Sequence, residues 1–193
     1  MASLRKELYS PEVYLARDRE AEEKSEYWDG YVYTMPGANR RHNVIVSNVG
    51  TTLNVQLAAK PCEVYPSDMR VRIPRSHRYL YPDVTVVCGE PRFEDERIDI
   101  LVNPTVVVEV LSESTERFDR GKKFDTYRQL DSLQVYVLIA QDEPHVYLYT
   151  RQTDGGWLFT EATALAAVLP LAPIGCELSL ADVYRKVQFP TPD

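Results

Sequence analysis

Three residues could do chemistry because they stand where local sequence rules disfavour them. Asp83 lies in Tyr81-Pro82-Asp83-Val84-Thr85-Val86-Val87, and Glu109 lies in Val106-Val107-Val108-Glu109-Val110-Leu111. A lone carboxylate is costly to bury without a cation, a proton or a metal, and Asp is a poor strand former. The third residue is Lys123, in the series Asp119, Lys123, Tyr127 at i, i+4, i+8. On a helical wheel of about 100° per residue it falls beside Tyr127 and Leu130 and points inward, whereas Lys122 faces elsewhere. Two carboxylates and a lysine suit metal-assisted hydrolysis. Mg²⁺ or Mn²⁺ takes oxygen ligands, and a lysine stabilises developing negative charge. The plain alternatives stay open: each acid pairs with an arginine at a strand end, and the lysine lays its stem along the core with its head in water.

These side chains need elements to hold them. Ser10-Pro11-Glu12 starts a helix, with Ser as cap and Pro in the first turn. Glu26–Tyr33 reads as a hairpin about Asp29-Gly30. Arg40–Ala59 reads as a helix whose apolar stripe is Val46, Val49, Leu53 and Leu57, with His42 at its N-terminal end. Strands are expected over Cys62–Tyr65, Met69–Ile73, Pro82–Cys88 and Thr105–Leu111. A helix capped by Ser114 or Thr115 runs to about Leu130, and a strand follows over Leu133–Ala140. Strand, helix, strand is a crossover, so the last two strands are expected to be parallel neighbours. Val146–Thr150 and Trp157–Thr160 form a closing hairpin about Asp154-Gly155-Gly156, and a short helix follows near Leu180–Arg185. The whole is an α/β (α+β) architecture: an αβββαβ core with a mixed central sheet, an N-terminal helix and hairpin, and a C-terminal hairpin.

The bulk numbers set limits. The chain has 193 residues, 29 acidic and 22 basic, for a net charge of −7. That balance argues against a general nucleic-acid coat protein. Residues 30–88, however, hold seven Lys or Arg against three Asp or Glu. Within or near that region Arg40, Arg41, Arg70, Arg72, Arg75 and Arg78 could meet backbone phosphates; their alternative is ordinary surface charge. No apolar run is long enough to span a bilayer, and the N-terminus lacks a secretory signal's apolar stretch. The three cysteines, Cys62, Cys88 and Cys176, show no zinc spacing. They read as small buried apolar residues in a reducing, cytoplasmic setting.

Tyr81-Pro82-Asp83-Val84, Val108-Glu109-Val110-Leu111-Ser112 and Asp119-x3-Lys123-x3-Tyr127 together resemble the Uma2 family (also called DUF820). Glu26-Tyr27-x-Asp29-Gly30 and Arg41-His42-Asn43 match its upstream motifs, so the resemblance spans roughly residues 10–187. The family is assigned to the PD-(D/E)XK nuclease superfamily. The resemblance therefore implies one nuclease-like domain over residues 1–193, with a core at about 40–141. It also implies Asp83 and Glu109 as ligands of Mg (or Mn), Lys123 as the migrated lysine in place of the superfamily's E-x-K position, which is Leu111 here, and a homodimer. Glu26, His42, Asp119 and Tyr127 are auxiliary candidates. The implied activity is endonucleolytic hydrolysis of DNA. Two other readings stay open: a catalytically inactive relative acting through protein contacts, for which the 13 tyrosines and two tryptophans supply interface material, and hydrolysis of a smaller phosphate ester.

Overall fold

A computed structural model of the chain describes residues 8–35, 37–112 and 116–190. The expected helix cap at Ser114 or Thr115 lies outside them. Helix α1 (Pro11–Asp18) starts as expected, with Val13 N donating to Ser10 Oγ. Strands β1 (Ser25–Trp28) and β2 (Tyr31–Thr34) form the aromatic hairpin. Its two-residue turn places Asp29 at φ 51° and Gly30 at φ 94°, the positive-φ pair that a tight hairpin turn requires.

Helix α2 (Arg40–Leu57) is capped by Asn39, whose side chain accepts from His42 N at 3.0 Å. Its buried row is Ile45, Val49, Leu53 and Leu57. Strict i+4 spacing selects Ile45 for the contact line and leaves Val46, expected there, on the flank. Strands β3 (Cys62–Pro66), β4 (Arg70–Ile73), β5 (Arg78–Leu80), β6 (Val84–Cys88), β7 (Ile100–Leu101) and β8 (Val106–Leu111) follow. Beyond β8, α3 (Glu116–Phe118), a π-helical turn (Asp119–Lys123) and α4 (Phe124–Tyr127) run as one helical rod. The remaining elements are β9 (Val135–Ala140), β10 (Val146–Arg151), β11 (Trp157–Ala162), the pair β12 (Val168–Leu171) and β13 (Cys176–Ser179), and α5 (Leu180–Val183). Strands β5, β7, β12 and β13 are additional to the elements that the sequence pattern predicts.

The central sheet has the order β11-β10-β9-β8-β6-β3. Strands β8 and β9 are parallel, as the crossover requires, and the other neighbours are antiparallel. Taken as α2, β3, β6, β8, the α3–α4 rod and β9, this is the expected αβββαβ order. A second sheet, β2-β1-β5-β4-β7, takes β4 and β5 from the insertion between β3 and β6, β7 from the segment between β6 and β8, and β1 and β2 from the N-terminal hairpin. Both faces of β8 are buried. Val106, Val108 and Val110 pack with α2, while Val107 and Leu111 pack with Tyr127 of the rod. Strand alternation therefore puts Glu109 on the rod side. Among the described residues no helix is long and apolar enough to cross a membrane.

The cysteine reading is corrected. Cys62 and Cys88 oppose each other across β3 and β6 and are joined as a disulfide, leaving Cys176 as a buried free thiol. The pairing removes the thiol-based support for a reducing compartment.

Candidate active site

Asp83 sits one residue before β6, where the β6–β8 pairing ends at Val84↔Val108. Its Oδ2 accepts from Val110 N at 2.7 Å, so the carboxylate continues the ladder that the backbone has left. Its Oδ1 lies 2.9 Å from His42 Nε2. The Asn39 cap fixes the start of α2 and thereby aims His42 at Asp83. Asp83 thus lies at a strand end, as in the plain reading, but its partner is a histidine.

Glu109 is buried in mid-strand. Its Oε1 accepts from Lys123 Nζ at 3.1 Å and from the Tyr127 hydroxyl at 2.9 Å. Lys123 also lies 3.1 Å from Glu26 Oε1 and 3.5 Å from Asp119 Oδ1. Glu26 is held on β1 by Trp28 Nε1, which donates to its Oε2 at 3.1 Å. The π turn, with Gly121 at its centre, widens the rod so that Asp119 and Lys123 are both buried; such single turns recur at functional sites. A uniform wheel does not hold through this turn, yet the inward direction of Lys123 does.

Three carboxylates around one ammonium make the cluster electron-rich. Burial pushes the Glu109 carboxyl well above the usual range; Lys123 opposes this, and Asp119, Asp83 and Glu26 add to it. Burial alone pushes Lys123 down, but Glu109, Glu26 and Asp119 together hold it well above the ordinary lysine value, so it stays charged. Burial, then Glu109, likewise raises Tyr127, which remains a neutral donor.

One cleft is lined by His42, Asp83, Glu109, Asp119, Lys123 and Gln141. It brings together five of the seven sequence-selected residues; Glu26 and Tyr127 reach it through Lys123 and Glu109. Gln141 was not selected. It directly follows β9, the parallel neighbour of β8, and its buried Oε1 has no hydrogen-bond partner among the described residues. A polar residue closing an apolar strand beside Glu109 was the available signal. Among the described residues, no three His, Cys, Asp or Glu side chains are gathered as a metal-ligand set. A hard cation such as Mg²⁺ needs only one or two protein carboxylates plus water. The oxygens of Asp83 and Glu109, with the orphaned amide oxygen of Gln141, fit that chemistry.

The family model Uma2, described as "Putative restriction endonuclease", matches residues 11–181. The chain belongs to the Uma2 family. Its relatives include the uncharacterised protein slr1290 of Synechocystis sp., 37% identical over 180 residues, covering 93% of each chain. Another Synechocystis protein, sll1609, is 39% identical over 148 residues, covering 77% of this chain and 84% of that one. A crystal structure described as a putative nuclease of DUF820 from Anabaena variabilis superposes with TM-score 0.76 at 20% identity, over 91% of this chain and 97% of that chain. That likeness shows a shared fold, the restriction-endonuclease-like one expected of a Uma2 protein.

The arginines do not form the open basic face that the sequence suggested. Arg70 is 4% exposed and pairs with Asp18 at 2.6 Å and Asp99 at 3.2 Å. A buried, doubly paired guanidinium is not available to a phosphate, and its proposed DNA contact is withdrawn. Arg72 pairs with Glu94, Arg78 with Asp29, Arg75 with Asp131 and Arg41 with Asp142. Arg40 is exposed at the start of α2, two residues before His42.

Proposed function

We propose that this Uma2 protein is a metal-dependent nuclease that hydrolyses DNA phosphodiester bonds in the cleft of Asp83, Glu109 and Lys123. One observation carries the proposal: a buried lysine from the rod reaches Glu109 on β8 in the same cleft that Asp83 lines. This supports moving the lysine's role from the Leu111 position to Lys123. Asp83, Glu109 and Gln141 would hold Mg²⁺ or Mn²⁺. Such an ion, when bound, polarises a phosphate and lowers the pKa of water. His42 fixes the Asp83 carboxylate, and Tyr127 fixes Glu109. Lys123, kept protonated by its carboxylates, offers positive charge to the transition-state phosphorane. Arg40, exposed at the N-terminus of α2, would serve as a phosphate contact. The exposed Leu158 and Phe159 of the sheet-edge strand β11 support a homodimer.

The test is cleavage of plasmid and oligonucleotide DNA with Mg²⁺ or Mn²⁺ by the wild type and by Asp83→Asn, Glu109→Gln and Lys123→Met. Each variant is expected to lose about 10²-fold or more, the scale of a lost transition-state contact. Undiminished cutting by all three would place the chemistry elsewhere. A second reading, a binding protein without catalysis, is favoured by one observation. Both carboxylate oxygens of Asp83 and the ammonium of Lys123 already have protein partners as they stand. It predicts DNA binding with no cutting under any divalent ion.

A further inference from the structure

A second cavity of about 660 Å³ opens between the N-terminal hairpin and the rod. It adjoins the Asp83 cleft: Met35, Asp119 and Lys123 line both. Its volume is in the range of small-molecule sites. One wall is aromatic. Tyr31 and Tyr33 project from the same face of β2 by strand alternation, and Tyr33 remains 47% exposed. Behind them Trp28 is locked, with Phe118 edge-on at 4.8 Å and the Arg78 guanidinium over its ring at 4.8 Å.

The polar lining carries four acids against three cations, Arg78, Lys122 and Lys123, which disfavours a second phosphate. Arg78 is spent on Asp29 at 2.6 Å and on the Thr126 hydroxyl at 2.6 Å, and Lys123 on its carboxylates. Glu26, Asp29, Asp119 and Asp125 add acids to the same walls. A flat, uncharged ring with hydrogen-bonding edges matches this surface, and Asp125 and Gln129 supply acceptors and donors for such an edge.

We propose that this cavity receives one unpaired nucleobase of the strand whose phosphate lies in the Asp83–Glu109 cleft. The preferred substrate is then single-stranded or locally unpaired nucleic acid rather than intact duplex. The idea rests on the nuclease reading of the adjoining cleft. Every base has a π-face, and stacking on an aromatic side chain contributes about 1–3 kcal/mol per base, roughly 5- to 150-fold in affinity.

The test is binding, without cleavage, of fluorescent oligonucleotide duplexes in Ca²⁺ buffer. Three are compared: fully paired, carrying one unpaired 2-aminopurine, and carrying an abasic residue at that position. The wild type is expected to bind the unpaired 2-aminopurine duplex about tenfold more tightly than the other two and to quench its fluorescence. Tyr33→Ala, at an exposed position, is expected to lose that preference, and Tyr33→Phe to keep it. Equal affinity for all three duplexes, or no binding to any, overturns the proposal. Base-dependent binding by a protein that never cuts DNA keeps the base site and removes the nuclease reading. Metal-dependent cutting with no base dependence does the reverse.

Discussion

Replacing Lys123 by methionine tests the charge arithmetic of the site without any need for activity. The ammonium faces Glu26 and Glu109 at 3.1 Å each and Asp119 at 3.5 Å. At an effective dielectric constant near 20, each contact is worth on the order of 5 kcal/mol before desolvation is subtracted. Removing one partner of a buried ion pair typically costs about 3–5 kcal/mol. Methionine keeps the volume, so that cost is electrostatic. It also depends on pH. Glu109 already sits well above the usual carboxylate range because of burial, and losing the lysine pushes it further. A carboxyl raised in the folded state contributes fully below its unfolded pKa, about 4.3, and loses that contribution as pH climbs through the folded value. The penalty of Lys123→Met is therefore expected to be small at an acid pH near the unfolded value and to approach about 3–5 kcal/mol at an alkaline pH above the folded value of Glu109. Urea unfolding followed by tryptophan fluorescence reads it directly, since Trp28 donates to Glu26. A penalty below about 1 kcal/mol at both pH values, or one that does not change between them, would refute the three-acid arrangement around Lys123.

Three other outcomes are expected. Asp18 accepts from Arg70, from the Tyr81 hydroxyl and from Ser25; burial pushes its carboxyl up, but these bonds together hold it below the usual value. Its contribution is present above the unfolded pKa and is lost as pH falls through the folded one. Asp18→Asn should cost about 3–5 kcal/mol at pH 7 and progressively less in acid, as read by denaturant titration at both pH values. The Cys62–Cys88 bridge closes a 26-residue separation. Cys88→Ser should lower stability by about 3 kcal/mol, and wild type and variant should unfold together once reductant opens the bridge. Gln141→Leu should weaken Mn²⁺ binding about tenfold by isothermal titration calorimetry; unchanged affinity would remove the amide oxygen from the ion's shell.

Legibility in the sequence followed the range of the interaction. Asp83 and Glu109 stand out because a carboxylate among valines breaks a rule that a few neighbouring residues define. Lys123 stands out by its angle relative to Tyr127 and Leu130. The parallel β8–β9 pair follows from one short crossover. What depends on distant segments was hidden. Arg70 looks like a surface cation until Asp18, 52 residues away, is brought against it. Cys62 and Cys88 become a pair only through the β3–β6 register. Glu26 carries no local signal of its own and was reached through family motifs alone, because its partner Lys123 lies on another layer. Strands β5 and β7, of three and two residues, are too short for periodicity to show.

The π turn divides the rod into two lengths with different duties. Lys123 and Tyr127, at and beyond its end, grip Glu109; Phe118, just before it, braces Trp28 and the aromatic cavity. A π turn holds one residue more than the α-helical turn it replaces. Deleting a single residue there lets the rod return to regular helix with Phe118 and Tyr127 still on their own faces, and removes the bulge that admits both Asp119 and Lys123. One codon is thus enough to change the crowding around Lys123 while the two ends of the rod keep their separate contacts.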